Sequence, residues 1–259
     1  MFFIETETFS EELSSAVENL SYRLQKLTLL DYPGKVACTL FSAGCNFRCP
    51  FCHNASLVMG NDDGMEVFTR EEILKFLQKR RGVLEGVCFT GGEPLMTDET
   101  LITMSEVRSL GYSVKLDTNG SYPDRLKTVL ELGLADYVAM DIKNAPEKYG
   151  ETAVFSNPAV FDAVQESAAL LLKRTVPFEF RTTVVEEFHT VEDFDAIGKW
   201  LLSLGVADAD KVKFYLQQFV DSGDTLCGGG LHAVDPENMN LMLARLQEYF
   251  PGAALRGIA

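Results

Sequence analysis

The stretch Lys35-Val36-Ala37-Cys38-Thr39-Leu40-Phe41-Ser42-Ala43-Gly44-Cys45-Asn46-Phe47-Arg48-Cys49-Pro50-Phe51-Cys52-His53-Asn54 decides how this chain is read. Lys35 to Phe41 is an apolar run of strand length, and three cysteines follow directly, crowded into eight residues. A short strand followed by chemically active residues recurs along the chain. Val87 to Thr90 precedes Gly91-Gly92-Glu93-Pro94, Tyr112 to Asp117 precedes Thr118-Asn119-Gly120, and Tyr137 to Ile142 precedes Lys143. Phe178 to Val185, Val212 to Gln217 and a closing run from Ala253 to Gly257 continue the series.

Helix signals fill the intervals. Thr69-Arg70-Glu71-Glu72 is a capping box, Ile73, Phe76 and Leu77 give its helix an apolar face, and Gly82 fits the stop. Leu101, Met104 and Leu110 mark a helix ending at Gly111, and another runs from about Pro123 to near Gly133. Asn157-Pro158 opens a long helix, Val191 to Leu204 forms the next, and Asp235-Pro236 caps the last. Six or seven strands alternating with helices predict a parallel sheet with right-handed crossovers. The count falls short of a full eight-stranded barrel, so the expected fold is α/β, an open or partial parallel α/β barrel of about six strands. Each candidate motif falls at the C-terminal end of a strand, where such folds build their sites.

Composition narrows the class. The 259 residues are 46% hydrophobic, enough for one sizeable core. No apolar run approaches the ~18 residues of a membrane span. The N-terminus has no basic residues ahead of its short apolar patch, so a cytoplasmic protein without membrane contact is expected. Residues 1–22 read as an N-terminal extension, in which Ser10 could cap a helix carrying Leu13, Val17 and Leu20; residues 23–259 form the domain. The net charge of −15 argues against nucleic-acid binding, and Lys79-Arg80-Arg81 reads as a solvated helix end.

Cys38 and Cys88 lie in apolar strands and read as inert buried thiols, while Cys227 stands in a mobile, glycine-rich loop as an incidental or reactive one. The clustered three admit several uses. Cys49-Pro50-Phe51-Cys52-His53 matches a c-type haem attachment motif or a thioredoxin-like dithiol, but either leaves Cys45 unused. A zinc ion held by the three cysteines and His53 needs two adjacent residues to turn to one small ion. A four-iron cluster usually takes four cysteines, so three thiolates leave one iron for an external ligand.

The spacing of three residues and then two resembles the signature of the radical S-adenosylmethionine family. Gly91-Gly92-Glu93-Pro94 resembles that family's motif for the cofactor's amino group. The resemblance implies one [4Fe-4S] cluster on Cys45, Cys49 and Cys52, with S-adenosylmethionine chelating the open iron. It places Phe51 near the adenine and gives Gly91, Gly92 and Glu93 to the cofactor. It implies reductive cleavage to methionine and a 5′-deoxyadenosyl radical that abstracts a substrate hydrogen atom. Reducing a sulfonium requires a cluster toward the low end of the ~−700 to +450 mV range.

Further stretches are similar to one branch, the activases of glycyl radical enzymes, most of all the activating protein of anaerobic ribonucleoside-triphosphate reductase. They are Leu27 to Lys35, Leu116-Asp117-Thr118-Asn119-Gly120, Met140-Asp141-Ile142-Lys143, Phe180-Arg181-Thr182-Thr183 and Leu216-Gln217-Gln218-Phe219. This likeness implies a glycyl radical enzyme as partner and a flavodoxin- or ferredoxin-like electron donor. It adds Asp117, Thr118, Asn119, Lys143 and Arg181 to the cofactor site, and a cation site at Asp117, Thr118 and Asp141. Charge arithmetic agrees: like charges ~4 Å apart cost roughly 4 kcal/mol at an effective dielectric of ~20. A cation, or close basic groups such as Lys143 and Arg181, must relieve Asp117, Asp141 and the cofactor's carboxylate. Gln217, Gln218 and the loop 221–231 are expected partner contacts. Asp31-Tyr32-Pro33-Gly34 departs from the Asp-Gly-Pro-Gly of formate-lyase activases, and only Cys88 lies between Cys52 and Gly91, so a single cluster is expected.

Overall fold

Nine strands build one sheet in a computed structural model that describes residues 21–59, 66–173, 176–221, 223 and 225–257. The helix expected around Ser10 lies outside the described residues. In chain order the strands are β1 (Ser21–Thr28), β2 (Ala37–Ser42), β3 (Val67–Thr69), β4 (Gly86–Gly91), β5 (Ser113–Thr118), β6 (Tyr137–Asp141), β7 (Phe178–Val184), β8 (Lys213–Gln218) and β9 (Ala254–Arg256). Their spatial order is β3-β1-β2-β4-β5-β6-β7-β8-β9, an open sheet. From β2 and β4 through β9 every pairing is parallel; β1 runs antiparallel to β2, and β3 antiparallel to β1.

The expected strands all form, within a residue or two of their predicted ends, so the parallel α/β architecture is as read. The six or seven strands read from the sequence are the seven parallel ones, and the structure adds two antiparallel strands, β1 and β3. β1 escaped because only its first half alternates: Tyr22 and Leu24 turn inward, whereas Gln25, Lys26 and Leu27 are all exposed. Tertiary contact holds it, with Tyr22 fully buried, edge-on to Phe89 and bonded through its hydroxyl to Thr103 at 3.0 Å. β1 begins at Ser21, so Ser21 and Tyr22 stand in the sheet.

Among the described residues eight α-helices accompany the strands: α1 (Ala55–Met59), α2 (Arg70–Lys79), α3 (Asp98–Ser109), α4 (Pro123–Glu131), α5 (Tyr149–Ala153), α6 (Ala159–Leu172), α7 (Val191–Ser203) and α8 (Pro236–Gln247). The Thr69–Glu72 capping box is present, and Asp235 caps α8 through the amides of Glu237 and Asn238. α1 and α5, five residues each, gave no sequence signal, and no side chain caps α5.

The two-residue period of the parallel strands sorts their side chains. Val114, Leu116, Val138, Met140 and Phe180 are fully buried in the apolar core. The alternate positions carry Lys115 and Asp117 on β5, Asp141 on β6, and Glu179 and Arg181 on β7. Register then decides which charges meet: Asp117 pairs with Ala139, and Asp141 with Arg181. Behind them Phe180, Phe214 and Phe250 pack ring to ring, and truncating such a buried ring to alanine costs about 3–5 kcal/mol. Among the described residues no helix is long and apolar enough to cross a membrane.

Candidate active site

The C-terminal strand ends surround a cavity of about 240 Å³. Cys45, Cys49, Cys52 and Phe51 line it from the loop after β2, Gly91 and Gly92 from β4, and Asp117, Thr118 and Asn119 from β5. Asp141 and Lys143 contribute from β6, Arg181 from β7 and Gln217 from β8. Glu93 alone among the predicted site residues does not reach the wall.

The cysteine loop is held by backbone contacts from four directions. Gly44 donates to Leu57 O and accepts from Glu93 N, both at 2.9 Å. The Arg48 amide reaches the carbonyls of Ala153 and Val154 at 3.0 Å, and Cys227 N donates to Pro50 O at 3.0 Å. Asn54 Nδ2 donates to Gly91 O at 2.8 Å. Val154 adopts φ 48°, a left-handed conformation that a β-branched residue rarely takes. The turn it makes at the end of α5 presents both carbonyls to Arg48.

Burial pushes the Cys45 thiol up to about 11 and that of Cys49 to about 12, so ligation is what would draw off their protons. Phe47 N, at 3.4 Å, and Asn119 Nδ2, at 3.7 Å, point donors at Cys45 Sγ. Hydrogen bonds to ligating sulfur raise a cluster's potential, so the protein has a handle on it here. All six cysteines are unpaired. Cys227 is exposed and turns its sulfur to Thr225 and Gly229 within its own loop.

Three thiols lining one cavity, with the Cys227 sulfur turned to its own loop, fit a cluster held by three thiolates. They fit the two-cysteine motifs poorly, since Cys45 joins the other two. His53 is committed elsewhere: its Nε2 lies 2.7 Å from Val220 O and its ring stacks on Phe219. Among the described residues no three His, Cys, Asp or Glu side chains are gathered closely enough for one metal ion, so a tetrahedral zinc site is not preformed.

A chain of alternating charges forms the cavity floor. Lys115 pairs with Asp117 Oδ1, Arg181 Nη1 with Asp117 Oδ2 at 3.0 Å, Arg181 Nη2 with Asp141 Oδ1 at 3.0 Å, and Lys143 with Asp141 Oδ2 at 2.9 Å. Burial alone would raise the pKa of Asp141, but Arg181 and Lys143 outweigh it and hold the carboxyl down to about 2. Asp117 is lowered in the same way by Arg181 and Lys115. The repulsion anticipated from the sequence is thus relieved by basic side chains. Lys115 was missed there, although its position two residues before Asp117 puts it on the same strand face.

Glu93 is buried, and its carboxylate accepts from Leu95 N at 3.0 Å, Thr118 Oγ1 at 2.8 Å and Asn119 N at 2.7 Å. Burial pushes its pKa up to about 7 against the pull of these donors. It staples the loop after β4 to the end of β5, and the Thr118 hydroxyl is spent on it. Asn119 continues the link through Nδ2 to Asn46 Oδ1 at 3.0 Å and to Cys45. Neither Asn46 nor Asn54 stood out in the sequence, because their partners are distant in the chain.

Comparison with known proteins agrees with this geometry. The family model described as the radical SAM superfamily matches residues 39–201. A putative glycyl-radical enzyme activating enzyme of Methanocaldococcus jannaschii is 31% identical over 196 residues, 74% of this chain and 77% of that one. A pyruvate formate-lyase-activating enzyme of Clostridium pasteurianum is 30% identical over 131 residues, 49% of this chain and 53% of its own. Streptococcus suis SuiB bound to its precursor peptide SuiA superposes with a TM-score of 0.61 at 14% identity, over 85% of this chain and 48% of SuiB, a likeness of fold. The chain therefore belongs to the radical SAM superfamily, which implies a [4Fe-4S] cluster and S-adenosylmethionine, and it is an enzyme of that class with glycyl-radical enzyme activating enzymes among its relatives.

Proposed function

We propose that this enzyme activates a glycyl radical enzyme, anaerobic ribonucleoside-triphosphate reductase being the foremost candidate partner. The observation that carries the reading is one cavity where three unpaired thiols face a part-buried chain of acidic and basic side chains. The activating enzymes among its relatives supply the substrate class. With the cluster and S-adenosylmethionine bound, the site would supply a 5′-deoxyadenosyl radical able to take a hydrogen atom from a partner's backbone glycine.

The chain's own residues then have defined tasks. Cys45, Cys49 and Cys52 offer the thiolates, and Asn119 donates a hydrogen bond to the first. Phe51, packed on Phe188 at 5.7 Å, gives the adenine an apolar wall. Asp117 and Asp141 carry two negative charges against the three positive ones of Lys115, Arg181 and Lys143. The excess positive charge suits the cofactor's carboxylate, which Lys143 and Arg181 would meet. Gly91 and Gly92 bring backbone to the cofactor's amino group, and Glu93 and Thr118 hold that loop in place. A cation at Asp117, Thr118 and Asp141 would compete with Arg181 and Lys143 for the same oxygens. Cofactor affinity should then change when alkali and alkaline-earth ions are exchanged, and constant affinity removes the cation.

The partner's glycine would enter beside Gln217 and Gln218, and a flavodoxin- or ferredoxin-like protein in the cytoplasm would deliver the electron. The test is to mix reduced enzyme, S-adenosylmethionine and the purified reductase without oxygen. A glycine-centred doublet in the electron paramagnetic resonance spectrum is expected. Release of 5′-deoxyadenosine without that doublet would point to a different substrate.

A further inference from the structure

Side chains take over where the backbone ladder between β6 and β7 ends. The last paired residues are Asp141 and Arg181, and Ile142 N still donates to Arg181 O at 2.8 Å. Beyond them, Thr182 Oγ1 donates to Ile142 O at 2.6 Å, and His189 Nε2 lies 2.9 Å from Lys143 O. Asn144 Nδ2 then donates to Phe188 O at 2.9 Å. The loops after the two strands are thereby tied together above the charged floor.

His189 is buried and has a fixed protonation pattern. Its Nε2 faces Lys143 O, which can only accept, so that nitrogen carries a proton. Its Nδ1 lies 3.1 Å from Val185 N and 3.2 Å from Val185 O, and accepting from the amide leaves the ring neutral. Burial pushes its pKa below the ordinary imidazole value, in the same direction. The ring also stands edge-on to Phe51, with centroids 6.5 Å apart, and it does not itself line the cavity.

We infer that His189 is a positioning residue for the cofactor: it holds the Lys143 backbone and the Phe51 ring in fixed relation across the site. The inference rests on the S-adenosylmethionine reading above. A ligand with a flat base at one end and a carboxylate at the other must meet Phe51 and Lys143 together. Slack between the two should weaken its binding more than it slows the chemistry.

Calorimetric titration of S-adenosylmethionine into the anaerobically reconstituted enzyme tests this, with iron content and melting temperature measured in parallel. Glutamine can present an N–H to Lys143 O and an oxygen to Val185 N; leucine can present neither. His189→Leu should bind about tenfold or more weakly at unchanged iron content, while His189→Gln stays within about threefold of wild type. At saturating cofactor, 5′-deoxyadenosine formation by the leucine variant should remain within about threefold of wild type. Wild-type affinity in His189→Leu, or equal weakening in the glutamine and leucine variants at matched iron content and melting temperature, would overturn the inference. If the leucine variant does not fold, His189→Asn replaces it: too short to reach both partners, it should bind weakly where glutamine does not, and equal affinities overturn the inference. A wild-type enzyme that fails to bind S-adenosylmethionine instead overturns the cofactor reading beneath it.

Discussion

Gly92 lies so close to Gly44 that a Cβ on it would come within 1.7 Å of the Gly44 carbonyl oxygen. That carbonyl accepts the next amide, Glu93 N, so the turn after β4 is seated directly against the residue preceding Cys45. The neighbour is backbone and cannot rotate away. Gly92→Ala should therefore push the cysteine loop outward and cost at least about 2 kcal/mol, in the range of overpacked sites. Chemical denaturation and iron uptake during anaerobic reconstitution measure both consequences. Wild-type values for each would mean that the loop yields freely.

Glu93→Gln should destabilise the fold by on the order of 1–3 kcal/mol, because an amide nitrogen must face one of three fixed donors. It should also change the response to pH. With its folded pKa raised to about 7, Glu93 keeps in the folded chain a proton that the unfolded chain releases near the usual carboxylate value. Its contribution is fully present below that value and is lost as pH rises through about 7. Urea titrations from pH 4 to pH 8 should show the wild type losing this increment and the variant lacking it; parallel curves would count against the assignment.

Arg181 spans two carboxylates, so Arg181→Met leaves the part-buried Asp117 and Asp141 without their shared partner. Removing one member of a fully buried pair costs about 3–5 kcal/mol, and the loss here should lie at or below the low end of that range. Asp141, held down to about 2, stabilises the folded state above the ordinary carboxylate pKa and loses that contribution as pH falls toward about 2. Without Arg181 its pKa rises, and acid unfolding followed by circular dichroism should begin at higher pH. An unmoved acid transition would show that Lys115 and Lys143 suffice.

Single replacement of Cys45, Cys49 or Cys52 by serine should abolish the brown colour and most of the bound iron after reconstitution. Cys227→Ser should retain about four irons, since its sulfur faces its own loop. Full iron loading of any of the first three variants, or loss of iron from the fourth, would redraw the ligand set.

The strand ends and helix caps were legible because they are local. A capping box such as Thr69–Glu72 joins residues three apart, and an apolar run of five or six residues reads as a buried parallel strand without its neighbours. β1 was not legible, since its placement depends on Thr103 and Phe89, which lie far along the chain. His189 was silent for a related reason: its partners are a carbonyl and an amide, groups that every residue carries.

The chain's own order of residues thus determined which side chains stand at the ends of parallel strands, because strand period and cysteine spacing are properties of contiguous sequence. It carried both carboxylates and both of the basic residues expected to relieve them. Only the tertiary structure decided who neutralises whom. Register set Asp141 beside Arg181 and carried the guanidinium across β6 to Asp117, and burial made Glu93 a staple between the ends of β4 and β5. Electrostatic partners are chosen by distance in space, and distance in space is fixed only when the strands have paired.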